Sequence, residues 1–237
     1  MEQYYNDFGT WIRKQLPFRV QKISIDAGFT CPNRDGKIGV GGCIFCDNKS
    51  FNPSYCSHRK SITEQLEDGK HFFAKKYPDM KYLAYFQAYT NTYDKVDKLK
   101  LLYEEALQVK DVVGIVIGTR PNCVSNELLD YLEELNKETF LIVEYGIESC
   151  NDETLHYINR GHNFACTRKA IEKTAERNIY VGGHVIMGLP GEDASESLRQ
   201  APIISSLPLT MLKIHQMQII KGTRLAKIYK AKPFHLS

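Results

Sequence analysis

Cys31, Cys43 and Cys46 fall in the stretch CPNRDGKIGVGGCIFC, spaced C-x11-C-x2-C with four glycines between them. Thiolates this close together bind metal. A closed structural zinc site wants four ligands, whereas three thiolates with one position left open suit a 4Fe-4S cluster whose fourth iron must bind something else. Cys56 and His58 lie shortly downstream, and either could complete a tetrahedral zinc site, so that alternative stays open. The remaining cysteines, Cys123, Cys150 and Cys166, form no second C-x-x-C and read as small core residues. Seven cysteines is an odd number, and four are isolated, which suits reduced thiols in a cytoplasmic protein better than a disulfide framework.

The elements that would position this loop follow from pattern and breakers. VQKISID (Val20–Asp26) reads as a first strand running straight into the cysteines. A helix then spans 61–77, opening at Ser61 with Glu64 three residues on as a capping box. The alternation continues with strand 81–89, helix 95–108, strand 112–118, helix 125–138 from a cap at Ser125, and strand 139–148. Helical material spans 152–177 with a break near Gly161, followed by strand 179–190, helix 192–207 and strand 210–220. Strands alternating with helices predict an α/β fold with a parallel sheet, either an open doubly wound sheet or a barrel. In such a sheet chemistry sits at the carboxyl ends of the strands. There the sequence places the cysteine loop, TNTY, GTRPNC, ESCND, GLPGE and KGT, while the opposite loops are plain.

The order CPNRDG, GGCIFC, GTRP, EYGIES, GLPGE and KGT resembles the radical S-adenosylmethionine (SAM) superfamily over Phe18 to Arg224. The first cysteine interval is longer than that superfamily's usual C-x3-C-x2-C. It is similar to the subset containing the Elongator catalytic subunit and a bacterial family of single-domain relatives linked to modification of the tRNA wobble uridine. The resemblance implies a partial (β/α)6 barrel formed by one radical SAM domain, with residues 1–17 as an N-terminal extension. It also implies Cys31, Cys43 and Cys46 as ligands of a 4Fe-4S cluster, S-adenosylmethionine as second cofactor, and Phe45 as an adenine contact. The loop after strand two usually meets the methionine amino group through a Gly-Gly-Glu-like motif. This chain has QAYTNT there, which makes Gln87, Tyr89 and Thr90 the candidates. Glu144, Glu148 and Ser149 occupy positions resembling ribose and carboxylate contacts, and Gly188, Leu189 and Gly191 resemble the adenine-side turn. Arg120 faces either substrate or the methionine carboxylate, where its planar fork suits bidentate pairing.

The expected reaction is radical chemistry on the C5 side chain of the wobble uridine, in the carboxymethylaminomethyl to aminomethyl and methylaminomethyl uridine pathway. tRNA and an electron donor such as flavodoxin or ferredoxin are the implied partners. Two alternatives stand beside it: a small-molecule or porphyrin-type substrate, and a non-catalytic zinc- or cluster-bearing RNA-binding module. The net charge of +3 is compatible with a polyanion without requiring one. Lys221, Arg224, Lys227, Lys230 and Lys232 read first as a solvated helix face and second as a phosphate-contacting surface. The tyrosines of YLAYFQAYTNTY are strand residues that could also stack a base. His184 and His215 read as core or rim histidines rather than ligands. The start, MEQYYNDFGTWIRKQLPF, lacks the apolar segment of a signal peptide, and no later run is long enough for a membrane span. The chain stops soon after a helix following the sixth strand, which marks a truncated carboxyl end if longer forms exist.

Overall fold

The computed structural model describes residues 5–47, 52–74, 80–87 and 89–234. Six parallel strands pair in the order β1-β2-β3-β4-β5-β6 and curl into a partial barrel. They are β1 (Val20–Ile25), β2 (Lys81–Phe86), β3 (Val112–Thr119), β4 (Phe140–Glu148), β5 (Tyr180–Met187) and β6 (Met211–Gln216). The helices are α1 (Phe8–Gln15), α2 (Ile62–Ala74), α3 (Val96–Gln108), α4 (Asn126–Glu138), α5 (Asp152–Tyr157), α6 (Phe164–Ala175), α7 (Ala194–Ser205) and α8 (Arg224–Ala231). The predicted alternation is therefore present, with ends trimmed by a few residues. The predicted last turn of α2 lies outside the described residues.

Because helices cover the outside and side chains fill the inside, the central strands are buried on both faces, as their unbroken apolar runs require. Outward residues such as Ile23, Phe86, Ile115, Val143 and Tyr145 pack on the helices. Each fully buried aliphatic side chain of this layer contributes about 1.5–3 kcal/mol. The helix starts are those the sequence marks. Ser61 and Glu64 form the reciprocal capping box, with Ser61 N donating to Glu64 (2.7 Å) and Glu64 N to Ser61 Oγ (3.1 Å). Ser125 accepts from Leu128 N at the start of α4.

Inside the curl, Leu83, Tyr85, Val116 and Ile142 form a second apolar cluster against Phe8 and Trp11 of α1. Trp11 meets Tyr180 edge-on, with centroids 5.1 Å apart. The segment expected as an N-terminal extension is thus a capped helix, with Asp7 accepting from Thr10 N, and its aromatic residues close the amino-terminal end of the barrel interior. Ligands must then enter from the carboxyl-terminal end of the strands or past the β6 edge. Among the described residues no helix is long and apolar enough to cross a membrane.

Candidate active site

The cysteine loop leaves β1 and folds over the carboxyl ends of the strands. Its long first interval is taken up by a fold-back, with an isolated antiparallel bridge between Asp35 and Val40. Gly39 is required inside it, since a Cβ there would sit 2.4 Å from Asn33 Oδ1. Asn33 itself is buried, and its amide donates to Asn159 O (2.5 Å) while the Asn159 amide donates to Gly42 O (2.8 Å). Ile44 bonds through its backbone to Ile158, at the end of α5, and to Leu225 of α8. The loop between the first two cysteines is thereby fixed to the loop after β4, which sequence distance alone does not suggest.

Three donors converge on Cys43 Sγ: Asn33 Nδ2 at 3.9 Å, Arg120 Nη1 at 3.8 Å and Arg160 Nη1 at 3.7 Å. Both arginines are buried, at 4% and 5% exposure. Two guanidiniums buried side by side repel, so the arrangement calls for negative charge between them. Arg120 also donates to the Arg160 carbonyl, and Arg160 pairs with Glu148 (3.3 Å) and donates to Gly146 O (2.6 Å). Burial works against the Arg160 charge, and Glu148 and then the Cys43 sulfur more than restore it. Gly146 admits this arginine, because a Cβ there would lie 2.6 Å from its Nη2.

Cys31, Cys43 and Cys46 line one cavity of about 230 Å³. Burial, followed by charge on Cys43, pushes the Cys46 thiol up to about 11, a preference that a bound metal cation reverses. Among the described residues no three His, Cys, Asp or Glu side chains converge closely enough for a single metal ion. Three cysteines on one cavity, with two guanidiniums directed at the Cys43 sulfur, fit an anionic cluster. Cys56 is packed in the outer core, where burial and then Asp26 push its thiol up to about 12; neither it nor the exposed His58 lines the cavity. A Cys56→Ser variant is accordingly expected to bind as much iron as the wild type, measured by metal analysis; loss of bound metal would bring Cys56 into the ligand set.

The same cavity gathers Phe45, Gln87, Tyr89, Thr90, Arg120, Glu144 and Glu148, as the sequence reading grouped them. Among the described residues the buried Thr90 Oγ1 has no hydrogen-bond partner, a polar atom available to a bound molecule. Tyr89 has φ 61, which turns the chain sharply after β2 and sets its ring 5.7 Å from the Arg34 guanidinium. Glu144 does more than line the wall. Its carboxylate takes Lys22 Nζ (2.5 Å), Tyr85 Oη (2.7 Å) and His184 Nε2 (2.9 Å). Burial pushes its pKa up, but the bond to His184 and the Lys22 charge outweigh burial and hold the carboxyl well below the usual range. Both oxygens are thus used within the protein, and Glu144 ties β1, β2, β4 and β5 together.

Six predicted residues lie elsewhere. Ser149 is buried, and its hydroxyl donates to Glu192 and orders Asn151 N rather than facing the cavity. Leu189 is a core side chain. Gly188 (φ 77) and Gly191 (φ 89) shape a turn that brings Glu192 onto Ser149. Lys221 and Arg224 are exposed beyond β6, outside the cavity, where charge prefers solvent. Conversely, sequence reasoning missed Arg160, which lies in the predicted break around Gly161; an arginine at a polar break after an active-site strand was the available signal.

A model described as the radical SAM superfamily matches residues 31–199. The protein YtqA of Bacillus subtilis is 38% identical over 229 residues, covering 97% of this chain and 71% of its own length. The tRNA uridine(34) acetyltransferase of Methanocaldococcus jannaschii is 26% identical over 261 positions, covering 92% of this chain and 47% of that protein. Among solved structures, Elp3 of Methanocaldococcus infernus superposes with a TM-score of 0.67 at 19% identity, covering 92% of this chain and 50% of that one. That last likeness is one of fold.

Proposed function

This chain belongs to the radical SAM superfamily, and from that premise we propose that it modifies the C5 side chain of the tRNA wobble uridine, in the conversion of carboxymethylaminomethyl to aminomethyl and methylaminomethyl uridine. Superfamily members use a 4Fe-4S cluster and S-adenosylmethionine. The observation that carries the substrate assignment is the similarity to a tRNA uridine(34) enzyme along 92% of the chain. The part of that protein outside the match carries no weight here.

Cys31, Cys43 and Cys46 would hold the cluster, with Arg120 and Arg160 offsetting its negative charge. The chemistry supplied there when reduced cluster and S-adenosylmethionine are both bound would be one-electron cleavage of the sulfonium to methionine and a 5'-deoxyadenosyl radical. The protein's share is to position and to exclude water. Leu83, Val116 and Ile142, sealed beneath by Phe8 and Trp11, give the interior an apolar floor. Phe45, which lines the cysteine cavity, would be the adenine contact. An unpaired anticodon base needs little further exposure to reach this mouth. The test compares tRNA nucleosides from cells with and without the gene. Carboxymethylaminomethyl uridine is expected to accumulate at the expense of the aminomethyl and methylaminomethyl forms; identical profiles would remove the tRNA reading.

A further inference from the structure

A second cavity of about 570 Å³ opens beside the cysteine cavity toward the β6 edge. The two share Phe45, Tyr85, Gln87, Glu148 and His184, so a molecule in one reaches the other. Parallel pairing sets His184 opposite Lys213 and Ile186 opposite His215, and strand periodicity turns Lys213 and His215 to the same face. The His184 and His215 rings stand 5.3 Å apart.

Charge around this cavity is uneven. Glu148 is paired with Arg160, and Glu144 behind the wall is saturated by Lys22, Tyr85 and His184. Lys213 and the ring nitrogens of His215 have no hydrogen-bond or ion-pair partner among the described residues, although both line the cavity. Lys213 is exposed at the sheet edge, and partial desolvation against the cavity wall pulls its ammonium below the ordinary value, Glu144 opposing and Lys22 adding to the effect. Burial, with Lys213 and His184 nearby, takes the His215 imidazole down to about 4. Lys213 and His215 thus line one wall of the cavity side by side, and among the described residues the neighbouring carboxylates Glu144 and Glu148 are already engaged, which leaves this pair open to an anion from outside.

We propose that Lys213 and His215 bind the carboxylate of the substrate, as a specificity subsite next to the cofactor cavity. The proposal rests on the wobble-uridine reading for the source of that carboxylate, the carboxymethylaminomethyl group, and on the cavity alone for its chemistry. Lys213 supplies the charge and His215 a ring N–H. A substrate lacking the carboxylate would leave the ammonium unpaired and bind more weakly.

Two measurements on the full chain test it. Acetate is titrated while the His215 ring resonances are followed, in the wild type and in Lys213→Gln. Anticodon stem-loops carrying carboxymethylaminomethyl or aminomethyl uridine are compared for binding to the same two proteins. Saturable acetate binding with a rise in the His215 pKa, absent in Lys213→Gln, supports the subsite. The wild type is expected to prefer the carboxylated loop by about tenfold, the worth of one charge-assisted hydrogen bond, and Lys213→Gln to lose that preference. Acetate binding without any loop preference in the wild type supports the anion subsite and overturns the wobble-uridine source. No saturable acetate response in the wild type, or the same response in both proteins, overturns the proposal whatever the loops do.

Discussion

Cys43→Ala is expected to take bound iron after anaerobic reconstitution to background, together with the visible absorption of the cluster, while the protein still folds and melts cooperatively. The reason is specific to this position. Of the three cysteines proposed as ligands, Cys43 is the one on which Asn33, Arg120 and Arg160 all converge. Removing its sulfur deletes a ligand and also leaves two buried guanidiniums facing each other without an intervening anion, so a two-cysteine site has no compensating contact. The side chain is small and lies in a loop held by backbone bonds at Ile44, which is why the fold itself should survive. Metal analysis and absorbance of the purified variant check this. A variant that keeps its iron would remove Cys43 from the ligand set.

Glu144→Gln should be the most costly single change in the barrel interior. Glu144 is 4% exposed and is the anion on which Lys22, Tyr85 and His184 all depend. Removing one partner of a buried charge pair costs about 3–5 kcal/mol, and the amide, which retains some hydrogen bonding, places this change near 3 kcal/mol. In a chain of this size that is a drop of roughly 6–12 °C in melting temperature at neutral pH. The sign of the pH dependence follows from the shift. The folded carboxyl titrates below the ordinary value of 4.5, so its contribution is complete above that value and is lost as pH falls toward the folded pKa. The gap between wild type and variant should therefore narrow as the pH drops below about 4.5. Thermal melts of both proteins between neutral and acid pH measure it. Equal stability at neutral pH, or a gap that does not change in acid, would show that Glu144 is not the structural anchor described here.

The sequence made the strand–helix alternation legible because the strands are buried on both faces and read as unbroken apolar runs, while Ser61 and Ser125 mark their helices with capping side chains. It also grouped the cavity-lining residues, because in a parallel sheet everything at the carboxyl ends of the strands converges on one rim. The misses have physical causes. Phe8, Trp11 and Ile12 have helical spacing, but a helix of eight residues gives too few turns for periodicity to stand out, and its plug role depends on Phe140 and Tyr180 far along the chain. Glu144 reads as a polar residue at an active-site strand, yet three partners from other strands turn it into an internal tie. Ser149 follows the same logic in reverse: Glu192, brought back by the GLPGE turn, claims its hydroxyl. Arg160 reaches Cys43 only because the β4 loop and the cysteine loop are bonded together.

Cys31, Cys43 and Cys46 are proposed to hold a cluster that cleaves S-adenosylmethionine. The measurement that bears on it most directly is reductive cleavage by the anaerobically reconstituted wild-type protein, read as 5'-deoxyadenosine by chromatography alongside iron and sulfide content. About four irons and four sulfides per chain, with 5'-deoxyadenosine formed only after reduction, is the predicted result. Bound zinc in place of iron, with no 5'-deoxyadenosine under the same reductant, would contradict it and return the three cysteines to a structural metal site.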